Sequence, residues 1–255
     1  MDSETADRMM AAPWFYEFDL PDGRRTGTYL PEAVRGIHST RLSMLLDTLD
    51  RHRDVVPAAP SVLDLACHEG WFAHHLAARG ARVLGLDASG EHIERARLMA
   101  QVYGHSDVCF ERRDVTRIEP HELGVFDVVL VLGLLYHVEN PVGLLRIAHA
   151  HTRGVCVLET QVAPGLTGTV DWGSHLYPKA IVGSFAVIDE TDQIAEGNPE
   201  ANIVPISLVP SVETLVLVMQ LVGFQRVEVL TPPPGAYEQL AHGKRVMVAG
   251  WVDGS

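Results

Sequence analysis

Positive charge is scarce in this sequence. Lys and Arg number 20 against 33 Asp and Glu, and the formal net charge is -13. Nucleic-acid binding depends on Lys and Arg that neutralise phosphates. The balance therefore disfavours nucleic acid as a main partner and points to a small molecule, although a local basic patch stays open. Cysteine is also sparse: Cys67, Cys109 and Cys156 are the three, and no CxxC occurs. Each lies in or beside an apolar run, so they read as buried thiols in a reducing compartment rather than disulfide or metal partners. The first twenty residues carry acids where a signal peptide needs basic residues, and no long apolar core follows. No run approaches the ~18 apolar residues of a membrane helix. The expectation is a cytoplasmic protein without membrane association. No two-His-plus-acid set occurs at tight metal-ligand spacing, so no metal is expected. There is no internal repeat, and nothing in the sequence speaks to oligomeric state.

What is present is an ordinary globular composition, with 47% hydrophobic and 21% charged residues. Residues 1–33 hold turn residues and aromatics, Trp14, Phe15, Tyr16, Phe18 and Tyr29, without a clean period. They read as a segment strapping a core edge, as an aromatic lid over a pocket, or as both. From about Pro31 to His52 apolar residues fall near helical spacing. Pro57 and Pro60 then end the helix. The expected organisation is an N-terminal cap and helix over 1–56 and a core over 57–255.

Beyond Pro60, strand and helix patterns alternate. Strands are expected at 61–66, 82–87, 107–112, 126–132, 154–160, 225–231 and 245–252, and helices at 70–79, 90–103, 141–151 and 211–223. Strands such as "DVVLVLG" are apolar on both faces, as a strand covered on both sides by helices requires. The pattern predicts an α/β fold with a doubly wound, mostly parallel seven-stranded sheet. The connection "TPPPGAYEQLAHG" has no clear crossover helix, so the final strand is expected to run antiparallel. Residues 161–210 are rich in Gly and Pro and leave the carboxyl end of a strand, where ligands bind in such sheets. They read as a substrate-recognition insertion.

The chemistry concentrates in "VLDLACHEGWFAHHLAARGARVLGLDAS". A strand ends in Asp64-Leu65-Ala66-Cys67-His68-Glu69-Gly70, and a helix follows. Glycine at 70 permits positive φ and close approach of a ligand, and turn amides at a helix start favour negative charge. The full GxGxxG dinucleotide fingerprint is absent. Asp87 ends the second strand seventeen residues after Gly70, where a carboxylate accepts both hydroxyls of a ribose. Asp114 follows the third strand and is placed to accept an adenine amino group. Any one of these acids alone reads equally well as a solvated strand end or cap. Asp64, Asp87 and Asp114 at these intervals favour nucleoside binding.

In order, "VLDLACHEGWFA", "VLGLDAS", "RRDV" and "FDVVLVLGLLYHVENP" resemble the successive motifs of class I S-adenosylmethionine-dependent methyltransferases. "WF", "LYH" and "LET" are similar to segments of the transfer-RNA wobble-uridine methoxy/carboxymethoxy enzymes. The resemblance implies a Rossmann-like methyltransferase fold. It implies that Ala66, Cys67, His68 and Gly70 cradle the methionine part of the cofactor, with Asp64 bracing the turn or meeting the amino group. Asp87 would hold the ribose with Ala88 against the adenine; Asp114 and Val115 would frame the adenine; Leu132 and Gly133 would line the cofactor at the end of strand four. Ala66 and His68 depart from the usual glycines. In the wobble-uridine relatives a C-terminal arginine reads a carboxylated cofactor; Arg245 matches loosely, and ordinary S-adenosylmethionine is expected here.

Methyl transfer needs alignment and exclusion of water, and a hydroxyl acceptor gains from a base. His137, beside Tyr136 at the end of strand four, is the candidate base or acceptor-orienting group. It reads otherwise as a structural histidine. Trp14, Tyr29, Arg35, His38, Arg41, His175 and Arg245 are candidate substrate-pocket residues. The leading expectation is methylation of a small molecule, on oxygen or nitrogen, in specialised metabolism. A transfer-RNA-modifying enzyme, a nicotinamide-dependent oxidoreductase and a binding module without catalysis remain as alternatives.

Overall fold

The computed structural model describes residues 7, 9–171, 173, 178–196 and 205–252. A long helix α1 (Glu32–Arg51) precedes β1 (Ser61–Leu65), α2 (Trp71–Ala77), β2 (Arg82–Asp87), α3 (Gly90–Tyr103), β3 (Val108–Arg112), β4 (Phe126–Leu132), α4 (Pro141–His151) and β5 (Thr152–Gln161). After the insertion come α6 (Val212–Val222), β10 (Arg226–Val229), the single turn α7 (Glu238–Ala241) and β11 (Arg245–Trp251). One seven-stranded sheet has the order β3-β2-β1-β4-β5-β11-β10. β1 to β5 pair in parallel, whereas β11 pairs antiparallel with both β5 and β10. The expected doubly wound sheet is therefore present, with the predicted reversal at the last strand.

Local chemistry sets the helix ends. The side chains of Ser89, Asn140 and Ser211 accept the His92, Gly143 and Thr214 amides, which caps α3, α4 and α6. Strand residues then alternate between two cores. Val62, Val83 and Val128 pack with Leu45 of α1, Phe72 of α2 and Ile93 of α3. Leu63, Leu86 and Val129 pack with Leu144 of α4 and Leu215 of α6 on the opposite face. Helices thus cover both faces, and the carboxyl ends of β1, β2, β4 and β5 are left to build a site.

The insertion is more ordered than its composition suggests. It holds β6 (Gly168–Val170) paired with β7 (Lys179–Ile181), β8 (Phe185–Asp189) paired with β9 (Ile206–Pro210), and the short helix α5 (Thr191–Ala195). These strands pair with each other and not with the central sheet, so neither shows the apolar run of a two-sided core strand. Cys67 and Cys156 are buried, as expected, but Cys109 is exposed. It lies on β3, the edge of the sheet, where one side meets solvent. Among the described residues no helix is long and apolar enough to cross a membrane, and no cluster of three or more His, Cys, Asp or Glu is placed to hold a metal.

Candidate active site

The turn after β1 is left-handed three times. Ala66 has φ 61°, His68 52° and Gly70 76°. An L side chain in that region costs roughly 1–2 kcal/mol, and such strain persists where surrounding contacts hold it. Here the Cys67 amide donates to the Leu86 carbonyl (2.8 Å), and the Gly70 amide to the Cys67 carbonyl (2.9 Å). The His68 amide donates to Asp87 Oδ2 at 2.9 Å. The two non-glycine residues of the motif thus adopt the backbone that glycine would supply.

Asp87 joins the turn to the end of β2. It also accepts from the Ser89 amide (2.8 Å) and from His92 Nδ1 (3.2 Å). Burial by itself would raise this carboxyl, but the hydrogen bonds from His92, Ser89 and His68 outweigh it and hold the group below the usual range. The His92 ring stacks on His68 at 3.6 Å. Asp64, one turn of chain earlier on β1, is fully buried, and its Oδ2 has no hydrogen-bond partner. Burial, then the neighbouring Asp87 charge, pushes its pKa up to about 7.

A second buried cluster sits at the ends of β4 and β5. Glu159 has no solvent exposure and pairs with Arg41 Nη2 through Oε2 (2.6 Å) and with Arg245 Nη1 through Oε1 (3.0 Å). Arg245 Nη2 donates to the Tyr136 hydroxyl at 3.1 Å and Nε to Gln239 Oε1 at 2.8 Å. Burial works against the Arg245 cation, yet Glu159 and Tyr136 raise its pKa and keep it charged. Gly133 directly follows β4 at φ 73°. A Cβ added there would lie 3.6 Å from Arg41 Nη2 and 3.7 Å from Glu159 Oε2, so the cluster stands directly over this strand end. Two guanidinium groups around one carboxylate leave a buried positive charge unbalanced. Arg41 Nε also has no hydrogen-bond partner.

The N-terminal segment covers the turn. Glu69, fully buried, accepts the Phe15 and Tyr16 amides at 3.0 and 3.1 Å and pairs with Arg95 at 2.8 Å. Phe15 and Tyr16 thereby lie 4.7 and 5.6 Å from the His68 ring. Both also line a cleft of about 540 Å³ bounded by α1, α2 and the strap, with Arg35, His38 and Trp71 among its walls. Asp64, Asp87 and Gly133 are not in those walls; the cleft adjoins the turn without containing it.

The expected site residues divide accordingly. Asp64, Ala66, Cys67, His68, Gly70 and Asp87 come together at the turn. Leu132, Gly133, Tyr136 and Arg245 come together at the strand end, with Arg41. His137 is half-buried in the short turn after β4, its ring 4.2 Å from that of Tyr136. Val115 is buried, but Asp114 is exposed and caps its own turn, accepting from the Thr116 amide at 3.0 Å and pairing with Arg117. Ala88 is exposed, and its carbonyl accepts from Arg112 Nε. Trp14 is a correction: it is no pocket wall but fully buried, its Nε1 donating to the Met9 carbonyl at 2.7 Å, because an indole with its N–H satisfied packs best in the core. Tyr29 is 41% exposed beside Phe15. His175 lies outside the described residues. Glu159, Glu69 and His92 were not anticipated. Glu159 did leave a signal, since a charge inside the apolar run "GVCVLE" is seldom buried without partners.

Residues 62–154 match a protein-family model described as a methyltransferase domain. A ubiquinone biosynthesis O-methyltransferase of Neisseria meningitidis serogroup A is 35% identical over 105 residues, 40% of this chain and 42% of that protein. One from Acinetobacter baylyi is 27% identical over 146 residues, 56% of this chain and 57% of that protein. The chain thus spans about half the length of the curated relatives it matches. Among solved structures, the N-terminal domain of EvdMO1 with S-adenosylhomocysteine bound superposes with a TM-score of 0.72 at 23% identity, over 99% of this chain and 98% of that one. An S-adenosylmethionine-dependent methyltransferase from Mesorhizobium loti superposes with a TM-score of 0.56 at 23% identity, over 83% of this chain and 100% of that one. The expected likeness to the wobble-uridine enzymes is not among these relatives. Residues 62–154 match a methyltransferase domain, and they do so within a chain that has the Rossmann-like methyltransferase fold.

Proposed function

We propose that this chain transfers a methyl group from S-adenosylmethionine to a hydroxyl of a small molecule. The observation that carries the reading is the left-handed turn at 66–70, closed on Asp87 and backed by the unpartnered Asp64 oxygen. The residues present fit the cofactor group by group. Asp64 offers a buried carboxylate oxygen to the amino group. The unbalanced positive charge of Arg41, Glu159 and Arg245 suits the carboxylate. Asp87 suits the ribose hydroxyls, and Val115 offers an apolar edge to the adenine. The bound sulfonium supplies an activated methyl group. The chain's own work is then to align the acceptor, exclude water and take a hydroxyl proton. The strap held by Glu69 excludes water, and His137 is assigned the proton. The acidic chain and the small-molecule names of the relatives support a small acceptor over transfer RNA.

Thermal melts test this. Ligands that bind only the folded chain raise Tm. S-adenosylhomocysteine at 1 mM is expected to raise it by several degrees and NAD to leave it unchanged; the reverse would restore the nicotinamide reading. With an acceptor in hand, His137→Ala is expected to cut kcat by ~100-fold or more with little change in cofactor affinity.

A further inference from the structure

Among the described residues, His38 is a buried group that the proposed chemistry leaves unused and that has both polar atoms unpaired. It sits on α1 and is 7% exposed, yet neither ring nitrogen has a hydrogen-bond partner. Leaving buried polar atoms unpaired is unfavourable, so such a group is best explained by a partner that arrives. Its ring lies 4.5 Å from Tyr16, 5.0 Å from Phe15 and 6.1 Å from Trp71. It also feels the charges of Arg41 and Arg245. His38 therefore stands where the 540 Å³ cleft meets the buried cluster at the strand ends.

The cleft's walls describe its occupant. Tyr16 and Trp71 stack at 5.5 Å with 7° between their planes, and Phe15 and Phe18 add two more rings. The charges on its walls come in opposite pairs, Arg25 with Asp19 and Arg35 with Glu17. Apolar faces with cancelled charge suit an uncharged ring. The unpartnered imidazole suits a hydroxyl on its edge, because a neutral histidine both donates and accepts.

We propose that this cleft seats the acceptor, an uncharged hydroxylated ring with one flat apolar face, and that His38 is a positioning residue that hydrogen-bonds a ring hydroxyl. The inference rests on the proposed methyl transfer. A phenolic ring and a sugar ring both present this chemistry, and catechol and methyl β-glucopyranoside are the probes that separate them.

The experiment titrates each probe into protein saturated with S-adenosylhomocysteine and follows ¹⁵N-histidine resonances. At least one probe is expected to move the His38 signals saturably. Ser39→Trp, which fills the cleft from its exposed rim, is expected to weaken that probe at least tenfold while leaving S-adenosylhomocysteine affinity within twofold. His38→Ala is expected to weaken it similarly, and His38→Gln, which keeps a donor and an acceptor, to recover part of the loss. In turnover His38→Gln is expected to raise KM more than it lowers kcat. If S-adenosylhomocysteine itself fails to bind, the methyl-transfer reading falls. If it binds but neither probe moves His38, or Ser39→Trp binds the probe as well as wild type, this inference falls alone.

Discussion

Two residues at the turn, Ala66 within it and Asp64 on the strand that feeds it, carry more consequence than their neighbours. Ala66 holds a left-handed backbone that glycine adopts without penalty, so Ala66→Gly is expected to be neutral or to stabilise by up to about 1 kcal/mol. Urea melts check the sign; a clear loss would mean that the methyl group packs usefully. Asp64 sets a pH dependence. Its pKa lies above that of the unfolded chain, so the folded state keeps this proton to about pH 7. The contribution is favourable at low pH and is lost as pH rises through 7. The loss begins at the unfolded carboxyl's pKa near 4 and is complete above 7, so Asp64→Asn is expected to gain Tm over wild type increasingly from pH 5 to pH 8 and not at pH 3.5. The same substitution is expected to weaken S-adenosylhomocysteine binding, and to abolish a wild-type affinity that strengthens between pH 6 and 8 as the carboxylate ionises to meet the amino group.

At the scale of elements, the strap depends on one carboxylate. Glu69 receives two strap amides and Arg95. Removing it leaves two strap amides without their acceptor and takes one partner from the half-buried Arg95, which keeps Glu91 and the Pro13 carbonyl. Glu69→Ala is expected to cost about 2–3 kcal/mol and to open residues 9–30 to limited proteolysis; an unchanged digestion pattern would show that the aromatic packing holds the strap alone. The core elements were legible in the sequence because two-sided apolar strands and capped amphipathic helices are local patterns. β2, β4, α3 and α4 lie where periodicity put them. The acids of the turn were legible for the same reason, since strand ends fix their spacing. Strap and insertion were not. Glu69 and Phe15 meet across 54 positions of chain, and β8 and β9 are short strands that pair only with each other. Trp14 and Asp114 show the same limit: residue type suggested a ligand, while the partner that claims each side chain is set by the fold.

For the whole molecule, burial of histidine governs acid stability. Desolvation, with nearby like charges, lowers both His38 and His74 to about 3. In the unfolded chain both take a proton near pH 6.5, while the folded chain takes one at Asp64. Between about pH 6.5 and 4 these three groups by themselves leave the unfolded state with one more proton than the folded state, a contribution of roughly 1.4 kcal/mol per pH unit to the fall in stability, and the lowered His75 and His105 act in the same direction. Denaturant melts across that range check the slope, and a flat profile would contradict the burial of these rings. The central claim, that the turn and Asp87 grip an adenosyl cofactor, is tested most directly by calorimetry with S-adenosylhomocysteine on wild type and Asp87→Ala. Saturable one-to-one binding to wild type, weakened at least tenfold in the variant by loss of a charged acceptor worth about 1.5–3 kcal/mol, is the predicted result; no heat with wild type, or equal affinity for both proteins, would contradict it.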